Sequence, residues 1–313
     1  MKVLEFGDQR LHLDATAVRQ PHLQRFIDRI SIDGVPTPVR YQMRIVEGEQ
    51  AELVVDEQTG SMSLVVPSMT TVSPTALEIA ILQAGARCLA LLSTADRCVL
   101  LHGSAVTATG DCGAVAVLDG GLGQGKTSLA LGLAKAGCAL LVDEFTFVTC
   151  DREESVVTPA PRLPWHVRGD MAPYLAPEHP DRRLLFPDEL APVSTAKTAA
   201  SLTLIIVPDS GIPAGKLEQI DPAQTGVLLT SAVTDHLAKL IDPSLDHVSI
   251  LSNPSQVRYA SGHPLLSRRT QLCAPPRTVL DRLSRVPAFR VGIGSPADLA
   301  ASVDAVTHVV ESL

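Results

Sequence analysis

Between a short apolar run, AVAVL (residues 114–118), and an Ala/Leu-rich run, KTSLALGLAKA (residues 126–136), the chain carries GGLGQGKT, residues 120–127. No other stretch restricts the fold as tightly. The apolar run reads as a buried strand and the Ala/Leu run as a helix. The glycines between them allow a tight loop whose successive N–H groups turn inward. A strand–loop–helix unit of this kind belongs to α/β folds. The spacing Gly120-x-x-x-x-Gly125-Lys126-Thr127 matches the Walker A phosphate-binding pattern in full, with Gly121, Leu122, Gly123 and Gln124 filling the loop. Backbone N–H groups and the helix N-terminus would cradle phosphate oxygens. Lys126 would neutralise the β- and γ-phosphates, and the Thr127 hydroxyl would ligate Mg²⁺. Ser128, next to Thr127, is read as a further loop contact or as packing. A nucleoside triphosphate with Mg²⁺ is the expected cofactor, with ATP as the choice.

The following run, CALLVDE (residues 138–144), reads as a strand ending in two acids, Asp143 and Glu144, with Gly137 capping the helix before it. The loop's strand and this strand are expected to be neighbours whose C-terminal ends share one edge. One carboxylate would hold Mg²⁺ and the other would accept a proton from an attacking hydroxyl. Upstream, CVLLHGSAV and GAVAVLDGG flank the turn signal Gly110-Asp111 and suggest a hairpin. Pairing Val106 with about Gly113 sets His102 opposite about Val117, beside the loop. A histidine there would assist at a transferring phosphoryl group.

The 313 residues allow two domains. Residues 1–72 look β-rich and are expected to form a smaller N-terminal domain; residues 73–313 would form the main domain. Within the latter, 73–93 is a linking helix, 97–150 the nucleotide-binding unit and 151–198 a Pro- and Arg-rich, substrate-facing segment. The linking helix begins at Pro74, with Thr75 and Glu78 spaced as a capping box. Further runs predict a strand over 201–209, a helix over 222–241, a helix followed by a strand within 275–294, and a closing helix. A net charge of -8 argues against nucleic acid or an anionic membrane as partner. The six cysteines form no C-x-x-C pair, so zinc and redox motifs are not expected. The opening residues, MKVLEFGDQRLHLD, have no apolar core, and residues 76–92 carry three polar interruptions. A cytoplasmic location without a membrane span is the expectation.

Taken together, LLHGSAV, AVAVLDGGLGQGKTSLALGLAKAG and CALLVDE resemble, in order and spacing, the HPr kinase/phosphorylase-related kinases. That family shares its nucleotide-binding core with phosphoenolpyruvate carboxykinases. The resemblance is specific over residues 100–144 and diffuse elsewhere. It implies an HPr-kinase/PEP-carboxykinase-like P-loop core and an ATP- and Mg²⁺-dependent kinase acting on a hydroxyl. Residues 120–127 would cradle the phosphates, and Thr127 with Asp143 or Glu144 would hold the metal. Asp143 would be the base, His102 would assist, and Arg168 in WHVRGD would contact phosphate or acceptor. Leu122 stands where the family often has serine, and Glu144 where it has aspartate. The acceptor is therefore left as a peptide or protein serine or a small alcohol, with a homo-oligomer possible. A nucleotide-dependent regulator and a carboxykinase-like enzyme using Arg162, Arg168, Arg182 and Arg183 remain the alternatives.

Overall fold

A computed structural model describes residues 2–34, 39–67, 72–93, 98–107, 113–119, 125–150, 154–167, 177–178, 183–190, 193–246, 249–272 and 277–312. The chain is mixed α/β and divides into two compact units: Met1–Asp96 with Thr234–Ala274, and Arg97–Val233 with Pro275–Leu313.

The first unit is built on a seven-stranded sheet. Its strands are β1 (Lys2–Phe6), β2 (Gln9–Asp14), β3 (Ser31–Asp33), β4 (Tyr41–Gly48), β5 (Glu52–Asp56), β6 (Ser61–Pro67) and the later segment Val257–Tyr259. They lie in the order Val257–Tyr259, β5, β6, β4, β2, β1, β3. Alternation sets the faces. In β4, Tyr41, Met43 and Ile45 are buried while Gln42 and Arg44 are exposed. Gly60, at φ 66, makes the turn from β5 into β6. Two helices, α1 (Pro21–Ile30) and α2 (Pro74–Leu92), pack with this sheet. Gly85 of α2 lies so close to β1 that an added Cβ would meet the Phe6 ring at 3.2 Å.

The two compact units do not follow the expected boundary at residue 72. Helix α2 belongs to the first unit, and so do residues 234–274, which return to it late in the chain. The cause is long-range pairing. Val257–Tyr259 adds a parallel strand to β5, and Arg258 donates to Glu52 at 2.7 Å. Arg87 of α2 meets Asp246 at 2.5 Å, with side chains only 5% and 6% exposed. This ion pair explains how a charged residue sits inside an apolar helix that is buried from Ile79 to Leu91. Among the described residues α2 is long and apolar enough to cross a membrane, and 78% of its most apolar window is buried within the protein. Its cap also differs from expectation. Ser73, not Thr75, is the N-cap, its hydroxyl accepting the Ala76 N–H.

The second unit contains β7 (Cys98–Thr107), β8 (Ala114–Leu118), β9 (Ala139–Val142), β10 (Phe145–Cys150), β11 (Ser155–Val157) and the long strand Ala200–Asp209. Strand β7 pairs β10 through residues 98–102 and both β8 and β9 through its second half. Strand β10 pairs β11, β11 pairs Ala200–Asp209, and that strand pairs β8, so the pairings close into a ring. Ala200–Asp209 also carries Ala288–Gly292 in parallel and, beyond it, Leu217–Ile220. The helix α3 (Lys126–Lys135) packs on β7, β8 and β9, and the closing helix Leu299–Ser312 packs on α3. Gly132 is the contact point, because a Cβ there would lie 2.5 Å from Val303. Helix α3 ends as expected at Gly137, with φ 113. The Gly137 N–H bonds the Ala134 carbonyl and the Cys138 N–H bonds that of Leu133, a Schellman motif.

Two expectations about strand placement change. Strands β8 and β9 do share an edge at their C-terminal ends, but they are not neighbours, since β7 lies between them, antiparallel to both. The β7–β8 hairpin pairs Val106 with Val115 rather than with Gly113. That register carries His102 past Val117 to the level of Asp119, whose N–H donates to the His102 carbonyl at 3.2 Å.

Candidate active site

The site is assembled where β7 faces the junction of β9 and β10. The pairs Ala105–Val142 and His102–Phe145 place Gly103 and Ser104 across from Glu144 and Asp143. At that junction the chain kinks. The Phe145 N–H bonds the Asp143 carbonyl at 2.7 Å, two residues back, and Glu144 between them has φ 63. This is a γ-turn of the rare positive-φ kind, which L-residues adopt under strain. Glu144 is the one non-glycine residue with positive φ among the described residues. The Thr146 hydroxyl donates to the Gly103 carbonyl at 2.7 Å, which satisfies a buried acceptor beside the kink. Gly103 itself is required by packing, because a Cβ would sit 2.9 Å from the Val117 carbonyl oxygen.

The kink turns the two acids to different partners. Asp143 is buried, at 2% exposure, and acts as a hub. Its Oδ1 accepts from the hydroxyls of Ser104 and Thr127, the latter at 2.9 Å, and its Oδ2 accepts the His166 N–H at 2.7 Å. Three segments are thereby tied to one carboxylate: β7, the first turn of α3, and the short strand Trp165–His166. Burial raises the pKa of Asp143 above the ordinary aspartate value. The Lys126 charge opposes that shift, Glu144 adds to it, and the bonds from Ser104 and His166 hold it down.

Glu144 faces the other way. Its Oε2 accepts from Lys126 Nζ at 2.7 Å and its Oε1 lies 3.0 Å from His102 Nε2. His102 Nδ1 in turn lies 3.5 Å from Asp119 Oδ2. Lys126 is thus enclosed by acids. Burial by itself would lower its pKa, but the charges of Glu144, Asp143 and Asp119 and the hydrogen bond it donates to Glu144 outweigh it, so the pKa is raised and the ammonium stays charged. Gly125, left-handed at φ 84, opens helix α3, its carbonyl accepting the Leu129 N–H at 2.8 Å. An added Cβ there would press on Ile293 at 3.0 Å. The first N–H groups of α3, which have no partner within the helix, begin at Lys126.

Of the residues predicted from sequence, His102, Lys126, Thr127, Asp143 and Glu144 converge. Ser128 lies half-buried in the first turn of α3. Gly120, Gly121, Leu122, Gly123, Gln124 and Arg168 fall outside the described residues, as does Arg182. Arg183 enters the fold through its carbonyl, which accepts the Val167 N–H at 2.8 Å. Three groups were not anticipated: Ser104, Asp119 and the His166 N–H. Ser104 lies two residues after His102 and Asp119 one before Gly120, but only the β7 register gives them their partners, and only the return of Trp165–His166 brings the His166 N–H to Asp143. Among the described residues no group of three or more His, Cys, Asp or Glu side chains is arranged to hold a metal ion. Comparison of the chain with protein-family models and with curated proteins finds no match.

Proposed function

We propose that the second unit is an ATP-dependent, Mg²⁺-dependent phosphotransferase with an alcohol as acceptor, built on an HPr-kinase-like P-loop core. The observation that carries this reading is the split between two adjacent acids: Asp143 is bound to the Thr127 hydroxyl, and Glu144 to the Lys126 ammonium and the His102 imidazole. When bound, ATP with Mg²⁺ supplies the transferable phosphoryl group. The residues fit such a ligand. Thr127 and Asp143 offer two hard oxygen donors side by side, the kind Mg²⁺ takes alongside phosphate and water oxygens. Lys126 is a retained cation at the opening of a helix, where anions are favoured.

We also assign the two acids differently from the expectation based on sequence. Both Asp143 oxygens already accept hydrogen bonds, which suits a metal-side, positioning role better than proton abstraction. Glu144 is the acid we assign to accept the acceptor's hydroxyl proton once Lys126 turns to phosphate oxygens. His102 orients it from Nε2, and the γ-turn aims it. The acceptor class is a peptide or protein serine or a small alcohol.

The test is ADP formation and phosphorylated product with panels of serine peptides and small alcohols, measured for the wild type, Lys126→Ala, Asp143→Asn and Glu144→Gln. Loss of transfer in Lys126→Ala and Glu144→Gln, with Asp143→Asn retaining slower transfer that needs more Mg²⁺, is the expected pattern. Transfer at the wild-type rate in Glu144→Gln would refute the base assignment. Tight ATP binding with no product from any acceptor, together with a partner whose affinity depends on nucleotide, would replace the kinase reading with a regulatory one.

A further inference from the structure

The open face of the first unit's sheet holds a half-open cup of about 440 Å³, within the size range of small-molecule sites. Register builds it. Ser63 of β6 sits opposite Arg44 of β4 on one side and Val54 of β5 on the other. One step along, Ser61 sits between Gln42 and Asp56. Two short side chains on the middle strand, with longer ones on both flanks, leave a trough. Strand β2 supplies the far wall, His12 lying opposite Gln42 and Asp14 opposite Arg44.

The polar groups of this cup fall into two sets. The acids are committed to their own turns. Asp14 Oδ1 accepts the N–H and the hydroxyl of Thr16, at 3.1 and 2.7 Å, and Asp56 Oδ1 accepts the N–H groups of Gln58 and Thr59. The donors are not committed. His12 Nδ1 is buried without a hydrogen-bond partner, and Gln42 and Ser63 have none through their side chains among the described residues. Among the described residues Arg44 has one ion-pair contact, Nε to Asp14 Oδ2 at 3.9 Å, between side chains 65% and 53% exposed. An exposed pair at that distance is worth little and yields readily to a better-placed anion. What the cup offers is one loosely paired guanidinium, an amide, a hydroxyl and an imidazole on three adjacent strands, a set suited to an oxyanion.

We propose that this cup binds a small molecule through a carboxylate or phosphate group, with Arg44 as its charge partner and Gln42, Ser63 and His12 as hydrogen-bonding neighbours. The site is separate from the proposed phosphotransfer chemistry and stands or falls without it. Isothermal titration calorimetry on the full chain carrying Lys126→Ala, which removes the ammonium of the phosphate loop, tests it with citrate and with inorganic phosphate as probes. The expected result is saturable binding of at least one probe at one site per chain. Arg44→Gln should weaken it about tenfold or more, the worth of a charge-assisted hydrogen bond. Ser63→Asp, which sets a carboxylate opposite Arg44, should abolish it. Citrate alone binding identifies carboxylate as the group, and phosphate alone identifies phosphate. Both substitutions lie on the open face, so the urea midpoint should hold and report intact folding. No heat from either probe, or binding that survives both substitutions, overturns the proposal.

Discussion

Replacing Glu144 by glycine and, separately, by alanine isolates the backbone strain at the centre of the site. Both substitutions remove the same side-chain contacts, to Lys126 and to His102. They differ in what the backbone meets. At φ 63, within a γ-turn closed by the Phe145 N–H and the Asp143 carbonyl, an L-residue carries strain of about 1–3 kcal/mol, which glycine lacks. Glycine loses about 0.5–1 kcal/mol more chain entropy on folding than alanine does. The difference leaves Glu144→Gly more stable than Glu144→Ala by roughly 1 kcal/mol. At an ordinary strand position the order is reversed, with glycine behind by about 0.5–1 kcal/mol. The sign therefore decides the question. Equilibrium urea unfolding of the two variants, followed by a probe in the second unit such as Trp165 fluorescence, measures it. Trp165 is buried, beside the His166 N–H that binds Asp143, and reports on this region. A Glu144→Ala variant as stable as Glu144→Gly, or more so, would refute the claim that the turn is strained. The proposed phosphotransfer should be lost in both, since neither carries the carboxylate; strain relief that restored activity would contradict the role proposed for Glu144.

Two further outcomes follow from charges held in the fold. Asp246→Asn leaves the Arg87 cation buried without its counter-ion and should destabilise the first unit by about 3–5 kcal/mol, read from the urea midpoint. The double variant Arg87→Met, Asp246→Leu should recover most of that, and a loss under about 1 kcal/mol in the single variant would contradict the pairing. Because the pKa of Lys126 is raised on folding, its pairing contributes fully below the unfolded lysine value of about 10.4 and is lost as pH rises through the folded value. The stability gap between wild type and Lys126→Met should accordingly narrow as pH increases from about 9 to about 11.5, and a gap independent of pH would show that Lys126 is not held by these carboxylates.

Local signals in the chain reached far. The 3.6-residue periodicity located helices such as Pro222–Ile241, and continuous apolar runs located β7, β8 and Ala200–Asp209. Glycine chemistry placed the end of α3 at Gly137. Residue types and spacing alone picked out Lys126, Thr127, Asp143 and Glu144, because a tight loop, a cation, a hydroxyl and two acids lie within one short strand–loop–helix–strand unit, and an expected hairpin added His102.

What tertiary structure decided depends on pairings between distant residues, which periodicity does not encode. The return of residues 234–274 to the first unit rests on a strand pairing with β5 and on the buried Arg87–Asp246 pair. The place of β7 between β8 and β9 fixed which side chains meet. It set Ser104 against Asp143 and His102 beside Glu144, and a hairpin register two residues from the expected one brought Asp119 to His102. Residue types alone left open which of the two neighbouring carboxylates does what, and the resemblance made Asp143 the base. The γ-turn made them different, since a backbone that reverses at Glu144 points one acid into the fold and the other at the lysine and histidine.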